Sequence, residues 1–269
     1  MASTLKTHYF SVAPLETVNF RLLEQNDTGE VNKLVANCRA PGFFYLDLKD
    51  NQEYLKLLDV LYELSDKYFD QSEEVKMEDF RPTQDRGFKP GSDAETLEFA
   101  RDELVAGQSA VPVSMGSEAP KTVQRLVLSS HYITKTMLSR LAVALKMPHL
   151  EDHHREGETS DCGLKVESVP TEERLEDVPP SEHTDMGTLT LLFCPQYTTE
   201  LRVAEDKWGF IVPKPGHAIV NVADSLQRLT GKELVSSLHR VGQPTPGAGK
   251  RICALYYLRP EHAYVSTAA

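Results

Sequence analysis

The sequence predicts a mixed α+β protein, with a helix-rich first half packed on an antiparallel β sandwich or barrel made by the second. Three observations predict this. Apolar residues recur at helical spacing in three stretches before Pro148; short alternating runs separated by Gly, Pro and charged turns follow it; and 269 residues with 40% hydrophobic content can bury a large core.

The elements can be justified in order. After Thr28, residues Val31, Leu34, Val35 and Cys38 share one helical face, and Pro41-Gly42 stops that helix ahead of the apolar strand GFFYLDL. Residues 51–69 carry helical spacing again through Tyr54, Leu57, Leu58, Leu61, Leu64 and Tyr68. Residues 121–147 form the longest such stretch (Leu126, Ser130, Ile133, Met137, Leu141, Leu145), ended by Pro148. Residues 81–120, rich in Pro, Gly, Ser and acids, read as long loops. Beyond Pro148 come LKVESV, GTLTLLF, ELRVAE, WGFIVP, HAIVNVA, SSLHRV and RICALYYL, each of strand length. The expected division is a helix-rich region over 1–150 and a barrel core over 151–269.

Charge and composition exclude several classes. A net charge of −11 with no Lys/Arg cluster argues against nucleic acid. The opening MASTLKTHYF resembles neither a signal peptide nor a transit peptide, and no apolar run approaches membrane-spanning length, so no membrane partner is expected. The terminal STAA is not a peroxisomal address. Cys38, Cys162, Cys194 and Cys253 are scattered without a CxxC pair and read as reduced thiols of a cytoplasmic protein. The fragment GAGKR fails as a phosphate loop, since Pro244 replaces the first Gly and Arg251 the final Ser/Thr. No dinucleotide fingerprint and no GxSxG elbow occur. HLEDHH (residues 149–154) reads as a solvated loop.

The stretch SEHTDMGTLTLL places His183 and Asp185 with one residue between them, directly before a strand, so alternation turns both to one side. His239, inside SSLHRV, can supply a third ligand from another strand. Two His and one carboxylate on one side of a metal leave the opposite positions open, as in non-haem Fe(II) oxygenases. A single His in a strand is more often a hydrogen-bonded structural residue, and an HxD pair is common. Arg251 gives the set more weight: a guanidinium at the start of an interior strand requires an anion, and its planar fork matches a carboxylate.

The order HTDMGTLTLL, KWGFIVPKPGHAIVNVADSLQRLTGKELVSSLHRV and KRICALYYLRPE closely resembles the isopenicillin-N-synthase-like branch of the Fe(II)/2-oxoglutarate-dependent dioxygenases. VNF and APGFFYL resemble the opening strand and "GFFYL" signature of that family, so the likeness covers nearly the whole chain. It implies a distorted double-stranded β-helix, a jelly-roll, cupin-like core flanked by N-terminal helices. It also implies Fe(II) held by His183, Asp185 and His239, and 2-oxoglutarate held at Arg251 and Cys253. With O2, such an enzyme oxidises a small-molecule substrate of secondary metabolism, by hydroxylation or desaturation, and releases succinate and CO2. Two alternatives stay open: an iron oxidase that does not consume 2-oxoglutarate, and a non-catalytic metabolite-binding barrel.

This chain departs from the family pattern twice. Cys253 stands where the family has Ser after Arg-x, and a thiol is the weaker donor. Val169 stands where a Tyr often reaches the co-substrate. For the substrate pocket, the resemblance points to Arg86, Phe88 and Arg101 in DRGFKPGSDAETLEFARDEL. Leu191 and Phe193, on the strand after the HxD pair, are read as pocket wall or as plain core.

Overall fold

The computed structural model describes residues 11–84, 86–91, 94–108, 110–169, 182–196, 198–241 and 250–264. MASTLKTHYF, STAA and most of GAGKR with its Pro244 lie outside these. In chain order the elements are β1 (Thr17–Asn19), α1 (Phe20–Glu24), α2 (Thr28–Arg39), β2 (Phe43–Asp47), α3 (Gln52–Phe69), α4 (Glu73–Met77), β3 (Gly87–Lys89), β4 (Glu95–Ala100), α5 (Arg101–Val105), α6 (Ala119–Ala144), β5 (Gly163–Val169), β6 (Leu189–Phe193), β7 (Thr199–Ala204), β8 (Lys207–Phe210), β9 (His217–Val222), α7 (Asp224–Leu229), β10 (His239–Val241) and β11 (Arg251–Leu258).

Local chemistry starts and stops these elements. Asp27 accepts from Glu30 N at 2.9 Å and Asn51 from Tyr54 N at 3.2 Å, satisfying first-turn N–H groups of α2 and α3. α2 ends ahead of Pro41, and Gly42 follows at φ +78°, where an added Cβ would lie 2.0 Å from Val235 O. Only glycine fits there.

An eight-stranded sheet in the order β1-β2-β9-β6-β11-β5-β4-β3 faces a three-stranded sheet in the order β10-β7-β8. This is the expected double-stranded β-helix, with α3 and α6 on the outside of the larger sheet. Alternation sorts its strands between two cores. In β2, Phe44 and Leu46 join the main cluster under the helices, whereas Phe43 and Tyr45 join a smaller one with Leu201, Ile211 and Ile219 between the sheets. That is why FFYL reads as an unbroken apolar run: both faces of the strand are buried. In β11, Ile252, Ala254, Tyr256 and Leu258 belong to the helix-side cluster, which turns Arg251, Cys253 and Tyr257 into the barrel. Each large side chain fully buried this way contributes about 1.5–3 kcal/mol.

Several expectations need correction. Residues 81–120 are not simply loop: β4 pairs with β5 from Glu95↔Ser168 to Ala100↔Gly163, and β3 pairs with β4. Long-range pairing makes those strands, and the charged Glu95 and Glu98 hide the alternation of Leu97 and Phe99. The sheet also crosses residue 150, since β1 and β2 extend it beside β9 and β4 extends it beside β5. HLEDHH is not wholly solvated. His154 is buried and meets Thr188 Oγ1 at 2.7 Å and Leu150 O at 3.1 Å. Nor are all four cysteines free: Cys194, directly after β6, and Cys253 of β11 are joined in a disulfide, while Cys38 and Cys162 are free and buried. Among the described residues no helix is long and apolar enough to cross a membrane.

Candidate metal centre

His183 and His239 come together through the backbone. Each donates its N–H to the carbonyl of the other, at 2.9 and 3.0 Å, in an isolated antiparallel bridge. Residues paired in this way project side chains to the same side, and the two rings lie 4.3 Å apart. The segment following His183 is tied to α7: Asp224 N donates to Asp185 O at 2.8 Å, Thr184 Oγ1 to Asp224 Oδ2 at 3.0 Å, and Ser225 Oγ to Met186 O at 2.8 Å. His183 and Asp185 therefore precede β6 instead of lying in it, and are fixed by that helix.

Asp185 is oriented by one of its oxygens. Oδ2 accepts from Thr190 Oγ1 at 2.6 Å and from Asn221 Nδ2 at 2.8 Å. Oδ1 stands 3.8 Å from His183 Nε2 and 3.8 Å from His239 Nε2. Ligand atoms from the three residues all lie within 4.8 Å of one another.

His239 is buried, with its ring edge on Phe43 at 5.2 Å. Its Nδ1 lies 3.2 Å from Ser237 O, a bond that requires Nδ1–H and leaves the Nε2 lone pair free. Burial lowers its pKa and so favours the neutral ring, which is the form that binds metal. His183 is more exposed, at the open side of the cluster. Three converging donors, two imidazole and one carboxylate, suit a divalent first-row metal such as Fe(II).

Arg251 lies on the barrel side of β11, is 4% exposed, and donates Nη2 to Glu167 Oε1 at 3.0 Å. Cys253, two residues on, faces the same way, but its sulfur is bonded to Cys194 and has no proton to donate. Val169 is paired with Arg251 across β5 and β11.

The remaining pocket candidates have the following surroundings. Leu191 and Phe193 belong to the helix-side core, with Phe193 5.7 Å from the Tyr54 ring. Phe88 is fully buried beside Tyr68. Arg86 pairs with Asp102 and Glu103, and Arg101 with Glu156. Thr190, Asn221, Asp224 and Glu167 were missed by the sequence reading. A signal existed in the polar Thr and Asn inside GTLTLLF and HAIVNV, since an interior polar residue needs a partner.

A family model described as the 2OG-Fe(II) oxygenase superfamily matches residues 160–260. The chain is 32% identical over 268 residues to the 2-oxoglutarate-dependent dioxygenase frbH of Dothideomycetidae sp., covering 92% of this chain and 82% of that protein. Among solved structures, a 2OG-Fe(II) oxygenase family protein from Caulobacter crescentus superposes with a TM-score of 0.79 at 21% identity, over 93% of this chain and 88% of that one. Neurospora crassa T7H in complex with alpha-KG superposes with a TM-score of 0.76 at 20% identity, over 91% and 84%.

Proposed function

The chain belongs to the 2OG-Fe(II) oxygenase superfamily, and from that premise we propose that His183 Nε2, Asp185 Oδ1 and His239 Nε2 hold Fe(II) while Arg251 holds 2-oxoglutarate. The protein is an oxidoreductase, a dioxygenase that acts on a small molecule. The observation that carries the site assignment is the convergence of three donor atoms on one point with Asp185 Oδ2 already committed to Thr190 and Asn221.

His183, Asp185 and His239 would hold the iron, which together with 2-oxoglutarate and O2 would supply the oxidising chemistry that takes a substrate hydrogen and releases succinate and CO2. The side chains position and shield. Thr190 and Asn221 fix the carboxylate plane, the Ser237 carbonyl fixes the His239 tautomer, and Phe43 with the inter-sheet apolar cluster keeps water from the inner side. Arg251 would orient the far carboxylate of the co-substrate through its fork. No protein acid or base is needed. Hydroxylation or desaturation of a secondary metabolite is the outcome the resemblance favours, and the charge of −11 supports a reading without nucleic acid. The cytoplasmic location expected from the sequence belongs to the same proposal.

Anaerobic titration of Fe(II)-loaded protein with 2-oxoglutarate tests this reading. A weak visible charge-transfer band is expected, and its loss in Arg251→Ala. Bound iron without such a band would refute the co-substrate assignment and favour the oxidase alternative.

A further inference from the structure

Arg251 is withdrawn from water at the start of β11, and a cation so placed is costly unless paired. One nitrogen is given to Glu167 Oε1, while Nε, among the described residues, has no hydrogen-bond partner. The second oxygen of Glu167, Oε2, faces Lys165 Nζ at 3.6 Å. Lys165 and Glu167 have one residue between them on β5, so both project to the same face, and Glu167 is paired in register with Cys253. Glu167 thus lies between two cations, one buried and one with its side chain 25% exposed. It has the charge and planar shape of the group that the guanidinium would receive from 2-oxoglutarate.

Resting on the reading that Arg251 receives that distal carboxylate, we propose that Glu167 is a resident substitute for it, transferred from Arg251 to Lys165 when the co-substrate enters. A carboxylate already on the guanidinium repels a second one, so 2-oxoglutarate competes with Glu167 for Arg251 and binds best when Glu167 leaves it. Lys165 makes the displacement tolerable, because rotation about the Glu167 side chain leaves the carboxylate paired. The free protein never holds a bare buried guanidinium, and the loaded protein never holds a bare carboxylate. Glu167 therefore weakens binding of any ligand that needs Arg251, Lys165 relieves that penalty, and 2-oxo acids without a distal carboxylate escape both effects. Both residues position and select the co-substrate without touching the reacting atoms.

The test uses the full chain loaded with Mn(II), titrated calorimetrically with 2-oxoglutarate and with 2-oxopentanoate, which lacks the distal carboxylate. Glu167→Gln is expected to bind 2-oxoglutarate about tenfold tighter, the size of effect that removing one competing charge produces, with 2-oxopentanoate unchanged. Lys165→Met is expected to weaken 2-oxoglutarate alone, and to have no effect once Glu167→Gln is present. Melting temperatures establish that each variant is folded, and Lys165→Met carries the test by itself should Glu167→Gln prove unstable. Unchanged or weaker 2-oxoglutarate binding in Glu167→Gln, an equal gain for 2-oxopentanoate, or unchanged binding in Lys165→Met overturns the exchange while leaving the co-substrate assignment intact. No 2-oxoglutarate binding by any form overturns both.

Discussion

His239 Nε2 and Asp185 Oδ1 stand 3.8 Å apart, and the opposite end of each group is already engaged, Nδ1 with the Ser237 carbonyl and Oδ2 with Thr190 and Asn221. The free lone pairs are thereby aimed before any metal arrives. Replacing Asn221 by Ala, or Thr190 by Val, leaves every ligand in place but loosens the carboxylate. Metal affinity is expected to fall about 10- to 100-fold, as for other residues that orient ligands. Calorimetric Mn(II) titration checks this, and unchanged affinity would remove the orienting role.

His239→Ala should abolish metal binding and metal-dependent turnover while the protein still folds. The bridge that joins His183 to His239 is made by backbone atoms and survives loss of the ring. Retained tight Fe(II) binding in this variant would refute the ligand assignment.

Cys253→Ser releases the sulfur from Cys194 and places a hydroxyl two residues beyond Arg251. A hydroxyl is a better donor than a bonded sulfur, which has no proton, so 2-oxoglutarate should bind more tightly. An unchanged dissociation constant would show that this side chain does not reach the co-substrate.

Phe193→Ala tests the helix-side position of this residue. Phe193 is buried against Tyr54, and its carbonyl accepts from Tyr62 Oη at 2.8 Å. Truncation should cost about 3–5 kcal/mol of stability by leaving a cavity, with 2-oxoglutarate affinity preserved in the folded fraction. Denaturant unfolding measures the first quantity and ligand titration the second; lost affinity without lost stability would return Phe193 to the pocket.

Acid should destabilise the protein through two buried histidines. Burial, with Arg101 nearby, lowers His131 to about 4, and burial, with Lys135 nearby, lowers His154 to about 3, against an ordinary value of 6.5. Below pH 6.5 the unfolded chain takes up protons that the folded chain refuses until pH 4 and 3, so stability is complete above 6.5 and is lost as pH falls. The slope approaches about 1.4 kcal/mol per pH unit for each histidine. His154→Gln, which keeps a partner for Thr188, should flatten this dependence in melts between pH 6.5 and 4; an unaltered slope would exclude His154 as its source.

Local periodicity and chain order determined much of this protein. The helices α2, α3 and α6 follow from the 3.6-residue spacing of their apolar residues. The β-rich second half follows from period-two runs between turn residues, and the candidate ligands from an HxD pair, a distal His and an interior Arg in a fixed order. Those signals are local, because each depends on neighbours within a turn of helix or along one strand. The tertiary structure alone decided that Glu95–Ala100 is a strand, that His183 meets His239 through two backbone bonds, that Asp185 leans on Thr190 and Asn221, and that Cys194 lies against Cys253. It also turned Leu191 and Phe193 to the helices and put Glu167 on Arg251. Each of these depends on the register between strands distant in sequence, and a shift of one residue exchanges the two faces of a strand. Register is fixed by the packing of both cores together, so no local pattern in this sequence could specify it.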